Sequence, residues 1–154
     1  LGENGLAGEI GHIPIYGVAR NCGCGNVGCL ETIVSGKHLV EIVETYYPNI
    51  PLDDIFTLAS KESHIIKFID NMAMAIAIEI NILDVTQIIL GGGVVLMKHF
   101  PKELLYQSIL TKIRSPYIKE KLNINYSKAS DTSGVIGAAI LAFPKLIGDV
   151  TNEN

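Results

Sequence analysis

The sequence predicts an α/β fold, and three observations carry that prediction. A long apolar helical pattern over 63–83 runs into a short, wholly apolar stretch, Ile88–Leu90, and then into Gly91, Gly92 and Gly93. A second strand pattern follows at Leu122–Tyr126, where Leu, Asn, Ile, Asn and Tyr alternate with period two. A further helical pattern closes the chain, so helices and strands alternate as they do in layered α/β domains.

The elements follow in order. Residues 1–31 are Gly-rich and lack periodicity, and they read as loops with short strands. Helical spacing begins at Ser35 and places Leu39, Val40, Ile42 and Val43 along a stretch that reaches Tyr46. Pro48 and Pro51 interrupt it. A short helix is expected over 52–60, with Asp53 and Asp54 favourably placed in its first turn. The helix over 63–83 carries apolar residues on nearly every face, which predicts burial against a sheet. Asp84 ends it. The run Ile88–Leu90, apolar throughout, reads as a central strand. Pro101 suits the first position of a helix running to Ile113. Asp131, Thr132 and Ser133 can cap the last helix, Gly134 to Phe143, whose Gly134 and Gly137 read as packing glycines. The domain is expected to span 1–147, with a polar tail over 148–154.

Composition narrows the function classes. The chain has 154 residues, which suits one domain, and 48% are apolar. Its net charge of −4 is mild and no Lys/Arg-rich run occurs, so no nucleic-acid or anionic-membrane partner is expected. The most apolar stretch, 72–90, is broken by Glu79, Asn81, Asp84 and Gln87, short of the ~18–20 uninterrupted residues of a membrane span. With no signal-peptide pattern either, a cytoplasmic location is expected. The chain opens at Leu1 and runs within a few residues into a dense motif, so it reads as a piece of a longer polypeptide.

That motif is a cysteine cluster. Cys22, Cys24 and Cys29 fall within eight positions, and His12 lies ten before Cys22. An odd number of cysteines argues against a disulfide framework. Zinc takes four thiolate or imidazole donors at ~2.0–2.3 Å, and donors this close in sequence need the tight turns that Gly23, Gly25 and Gly28 permit. His12, Cys22, Cys24 and Cys29 would fill the shell and leave no open position, so the expected zinc is structural. The plain alternative is three free thiols. His38, His64 and His99 belong to no motif and read as surface or core residues.

His12 followed by C-x-C-G-x-x-G-C-x-E, from Cys22 to Glu31, resembles the signature of the ROK family (repressor, open reading frame, kinase) without a departure. Gly8, Glu9, Ile10, Gly11 and His12 resemble its second signature, and the likeness extends over roughly residues 6–143. It implies the carboxy-terminal lobe of an actin-like (ribonuclease H-like) ATPase fold, with the zinc and sugar loops at 6–32. It further implies that Glu9, His12 and Glu31 hydrogen-bond hexose hydroxyls, and that Gly91, Gly92 and Gly93 lie against ATP. Family kinases bind the phosphates and place their aspartate base in an amino-terminal lobe, which no segment here matches. No catalytic residue is therefore expected in this chain, and alone it should not turn over.

Several stretches resemble the D-allose kinases of that family in particular: Gly11–Pro14, Cys29–Thr32 with Ser35 and Gly36, Pro51–Phe56, and Gly93–Val94 leading to Phe100, Pro101 and Glu103. They imply phosphorylation of D-allose at its 6-hydroxyl with ATP and magnesium. Other family kinases take glucose, fructose or N-acetylmannosamine. Family repressors keep the sugar domain and add a DNA-binding helix-turn-helix. The resemblance also implies a homodimer of the full-length enzyme. A stand-alone zinc-stabilised binding module is a third reading.

Overall fold

The computed structural model describes residues 2–114, 116–127 and 132–142. A single 3-10 turn, Ile10–His12, precedes an irregular hairpin held by the antiparallel bridges Pro14↔Cys29 and Asn21↔Val27. Helices α1 (Glu31–Val34) and α2 (Gly36–Tyr46) follow. The Ser35 hydroxyl caps α2 by accepting the His38 N–H at 3.3 Å, which satisfies one of the N–H groups a helix start leaves unpaired. After the proline break, a 3-10 turn over Leu52–Asp54 leads into α3 (Ile55–Leu58), where a single short helix was expected.

Helix α4 occupies Ser63–Leu83, the bounds its apolar pattern predicts. Asp84 stops it by adopting the left-handed conformation, φ 54°, which Asp tolerates better than most residues. Strand β1 (Gln87–Leu90) pairs in parallel with β2 (Asn123–Tyr126), from Gln87↔Asn123 to Leu90↔Tyr126. Between them lie α5 (Lys102–Lys112) and α6 (Tyr117–Lys121), the latter not foreseen from the sequence. The last described element is α7 (Ser133–Ala142). Asp131, one of its expected caps, and the expected tail over 148–154 lie outside the described residues.

The core is chiefly helix on helix. Helix α5 packs along α4, and α1 and α2 also contact it. Ile65, Phe68, Ile69, Ala73, Ala77 and Ile80 of α4 are buried together with Leu105 and Ile109 of α5. Each fully buried Leu, Ile or Phe contributes roughly 1.5–3 kcal/mol relative to exposure. Phe56 meets Phe100 edge-on, with centroids 5.2 Å apart, and ties α3 to the loop after β1.

Three expectations are corrected by the structure. The all-round apolar pattern of α4 reflects burial among helices, with the strands contributing only partly buried residues such as Ile88 and Leu90. Strand β1 is not flanked on both sides among the described residues; it has β2 alone as neighbour, and Ile89 is 75% exposed. Likewise, among the described residues, Gly134 and Gly137 have nothing within 4 Å of where a Cβ would stand, so no described packing partner requires them.

Candidate functional site

The site is built on the hairpin. Its backbone is closed by Ile15 N–H to the Gly28 carbonyl (2.8 Å), Leu30 N–H to Ile13 (2.9 Å), Gly28 N–H to Arg20 (2.8 Å) and Cys22 N–H to Asn26 (2.8 Å). Gly28 has φ +85°, and a Cβ there would lie 2.7 Å from the Val18 carbonyl oxygen. Only glycine fits, and this one residue lets the chain double back and bring Cys29 beside Cys24. Buried Leu30 anchors the far end and passes the chain into α1.

These turns gather His12, Cys22, Cys24 and Cys29, whose donor atoms all lie within 4.8 Å of one another. Cys22 Sγ is 3.7 Å from His12 Nδ1, and Cys24 Sγ is 3.6 Å from Cys29 Sγ. A tetrahedron with zinc-type bond lengths has edges of about 3.5–3.8 Å, so the set has the chemistry and spacing to hold such an ion. Burial first, then the neighbouring thiols, push the Cys29 thiol up to about 12. The Cys24 thiol is lowered, chiefly by a backbone hydrogen bond at Asn26 and then by Cys22.

Glu9 and His12 share one 3-10 turn, where residues three apart eclipse. Glu9 Oε2 is 4.0 Å from His12 Nε2, on the side of the ring away from the thiols. Glu31 opens α1, and its Oε2 lies 3.8 Å from His12 Nδ1 and 3.6 Å from Cys22 Sγ. Glu31 thus borders the donor set without completing it. The three expected sugar-contacting side chains are neighbours, and all are at least partly solvent-exposed.

A cleft of about 610 Å³ opens between the hairpin and the start of α2. Besides His12, Cys22, Cys24 and Glu31, it is lined by Arg20, Lys37, His38 and Glu41. Glu41 binds the Arg20 guanidinium and sits 3.4 Å from His38 Nδ1. These two partners, His38 first, hold its carboxyl below the usual carboxylate range. The bridge fastens the hairpin to α2. Sequence reading missed it, because nothing local pairs Arg20 with a carboxylate 21 positions away.

Gly91, Gly92 and Gly93 stand apart from this cluster, at the carboxyl end of β1. Gly92 has φ +105°, and among the described residues nothing lies within 4 Å of a Cβ position at Gly92 or Gly93. Ser127, following β2, donates its N–H to the Leu90 carbonyl at 2.7 Å and closes the same end of the sheet. In open α/β sheets ligands bind outside the carboxyl ends of strands.

A paired parallel-strand unit joined to a Cys/His hairpin makes this an α/β domain. Residues 1–145 match the ROK family, and the chain belongs to it. An N-acetyl-D-glucosamine kinase of Photobacterium profundum is 31% identical over 94% of this chain and 52% of its own length. The DNA-binding transcriptional dual regulator NagC of Escherichia coli is 34% identical over 61% of this chain and 27% of its own. The chain therefore spans about half of the kinase relative and about a quarter of the regulator. The crystal structure of ROK hexokinase from Thermus thermophilus superposes with a TM-score of 0.69 at 21% identity, over 95% of this chain and 50% of that one. That likeness carries the fold, and the α/β architecture expected from the family holds. Among the described residues no helix is long and apolar enough to cross a membrane.

Proposed function

We propose that this chain is the sugar-holding portion of a ROK hexose kinase that transfers the γ-phosphoryl group of ATP, with magnesium, to a sugar 6-hydroxyl. The observation that carries the reading is the grouping of Glu9, His12 and Glu31 around one donor cluster. Carboxylates accept short, directional hydrogen bonds from hydroxyls, and a polyol offers many of them. A zinc held by His12, Cys22, Cys24 and Cys29 supplies structural rigidity. His12 binds it through Nδ1 and presents Nε2, beside Glu9, to the sugar. A ring fixed in this way has one tautomer and one orientation. Gly91, Gly92 and Gly93 let the nucleotide approach the backbone. The aspartate base and the phosphate-binding hairpin belong to an amino-terminal lobe outside these 154 residues, and the whole enzyme works as a cytoplasmic homodimer.

For the sugar we propose D-allose, on the stretches Gly11–Pro14, Pro51–Phe56 and Phe100–Glu103. Epimers differ in one hydroxyl, and leaving one buried polar group unpaired costs about 1–3 kcal/mol, enough to select between them. A second reading, the sugar-sensing domain of a repressor, is favoured by the likeness to NagC. ATP-dependent phosphorylation of D-allose, D-glucose and N-acetyl-D-glucosamine, measured on the full polypeptide that carries these residues, decides among them. Preference for D-allose supports the proposal. Preference for N-acetyl-D-glucosamine keeps the kinase and removes the allose assignment. Sugar-dependent DNA binding without phosphoryl transfer establishes the repressor.

A further inference from the structure

The three thiols are not equivalent. Cys22 and Cys29 are buried, at 9% and 1% exposure, whereas Cys24 is exposed and opens on the cleft. Cys24 Sγ lies 3.6 Å from Cys29 Sγ. We propose that Cys24 and Cys29 form an oxidisable pair, which a hydroperoxide converts to a disulfide. The conversion withdraws two of the four donors from the cluster.

The chemistry runs in two balanced steps. The Cys24 thiolate attacks a peroxide oxygen; an S–O bond forms, the O–O bond breaks, and the leaving oxygen takes a proton as alcohol or water. The Cys29 thiol then attacks the Cys24 sulfur; the S–S bond forms, the S–O bond breaks, and water departs with the thiol proton. Two electrons pass from the thiol pair to the hydroperoxide. Exposure makes Cys24 the sulfur an oxidant reaches, and Cys29 is the resolving partner because it is both adjacent and shielded.

The hairpin has room for the movement. The sulfurs must close from 3.6 Å to a bonded ~2.0 Å. Cys24 sits in the turn over 22–26, where nothing stands within 4 Å of a Cβ position at Gly23 or Gly25. Cys29 is held by its bridge to Pro14 and by the fixed turn at Gly28. Cys22 is the poorer partner. Its sulfur is shared with His12 and Glu31 as well as with the other thiols, and a bridge to Cys24 would close across a single residue. The consequence for the ion rests on the zinc reading above: with Cys24 and Cys29 joined, only His12 and Cys22 remain, too few for the four-donor shell. His12 then loses the fixed orientation on which sugar contact depends.

The test uses the chain as purified, zinc-loaded and chelator-washed in parallel, treated with hydrogen peroxide. Peptide mass mapping reads the crosslink and a chromogenic chelator reads zinc release. The expected result is a Cys24–Cys29 crosslink with loss of two hydrogens. In the loaded sample zinc is released in step with it, and a dithiol reverses both. Cys24→Ser should abolish the crosslink. Because that variant can also weaken metal binding, the map of the unaltered chain is decisive. Zinc retained with all thiols intact, while sulfoxides accumulate at Met72, Met74 or Met97, overturns the proposal, as does a crosslink through Cys22. A Cys24–Cys29 crosslink in a chain that never binds zinc removes the zinc reading and leaves the thiol pair standing.

Discussion

The hairpin over residues 13–30 and the helix pair α4–α5 are held together by different physics. The helices bury a continuous apolar seam in which Ile65, Phe68, Ile69, Ala73, Ile80, Leu105 and Ile109 are almost inaccessible to water. The hairpin buries little besides Cys22, Cys29 and Leu30. Its remaining order comes from a few backbone hydrogen bonds and from converging donors. A segment of this kind cannot offset its conformational entropy by apolar burial, so it needs an added constraint such as a metal ion. Of the two regions, the site is the less autonomous and the helix pair the more.

Metal removal should divide the two regions most sharply. Structural zinc sites carry on the order of 10 kcal/mol of apparent binding free energy, which here would reside in the hairpin. Chelation is expected to abolish amide protection over residues 13–30 while helical circular dichroism is largely kept. Equal loss in both regions would show that the helices depend on the hairpin. The same binding should be strongly pH-dependent. Burial favours the protonated form of the Cys29 thiol in the metal-free chain, so an ion must displace that proton, and affinity should rise with pH. A pH-independent affinity, with no proton release measured by calorimetry in buffers of different ionisation enthalpy, would argue against thiolate ligation.

Next in size is the helical seam. Phe68→Ala should cost about 3–5 kcal/mol of unfolding free energy in urea, through lost transfer energy and the cavity left behind. Helix α7 offers the contrast. Val135 and Ile136 are 72% and 54% exposed, so Ile136→Ala should stay within about 0.5 kcal/mol in the isolated chain. A much larger loss would mean that α7 is covered in solution, for instance by self-association.

Gly28→Ala tests the hairpin backbone alone. It sets a side chain against the Val18 carbonyl at a positive φ, and should destabilise by at least about 1 kcal/mol, seen first as weakened metal binding. A small effect is also expected at Asp70, whose carboxyl accepts from Lys112 and, at 2.6 Å, from the Ser108 hydroxyl. Those partners, Lys112 first, lower its pKa. The stabilisation is therefore present above the ordinary carboxylate pKa and lost as pH falls through the lowered folded value. The pair is partly exposed and screened, so Asp70→Asn should cost no more than about 1 kcal/mol at neutral pH and nothing in strong acid. Urea unfolding at the two pH values checks it.

By itself the sequence determined what depends on neighbours along the chain. The spacing of Cys22, Cys24 and Cys29 with their glycines announced a donor cluster, and the apolar run with Asp84 behind it fixed α4 to the residue. Turn chemistry and helical periodicity are local, so they survive being read one segment at a time. Tertiary structure decided what depends on distant partners. It turned His12 Nδ1 towards Cys22 and set Glu31 against both. It joined Arg20 to Glu41, paired β1 with a strand 36 positions away and left Ile89 open to solvent. No residue type or spacing encodes those outcomes, because each is settled by which surfaces remain once the helices have buried theirs.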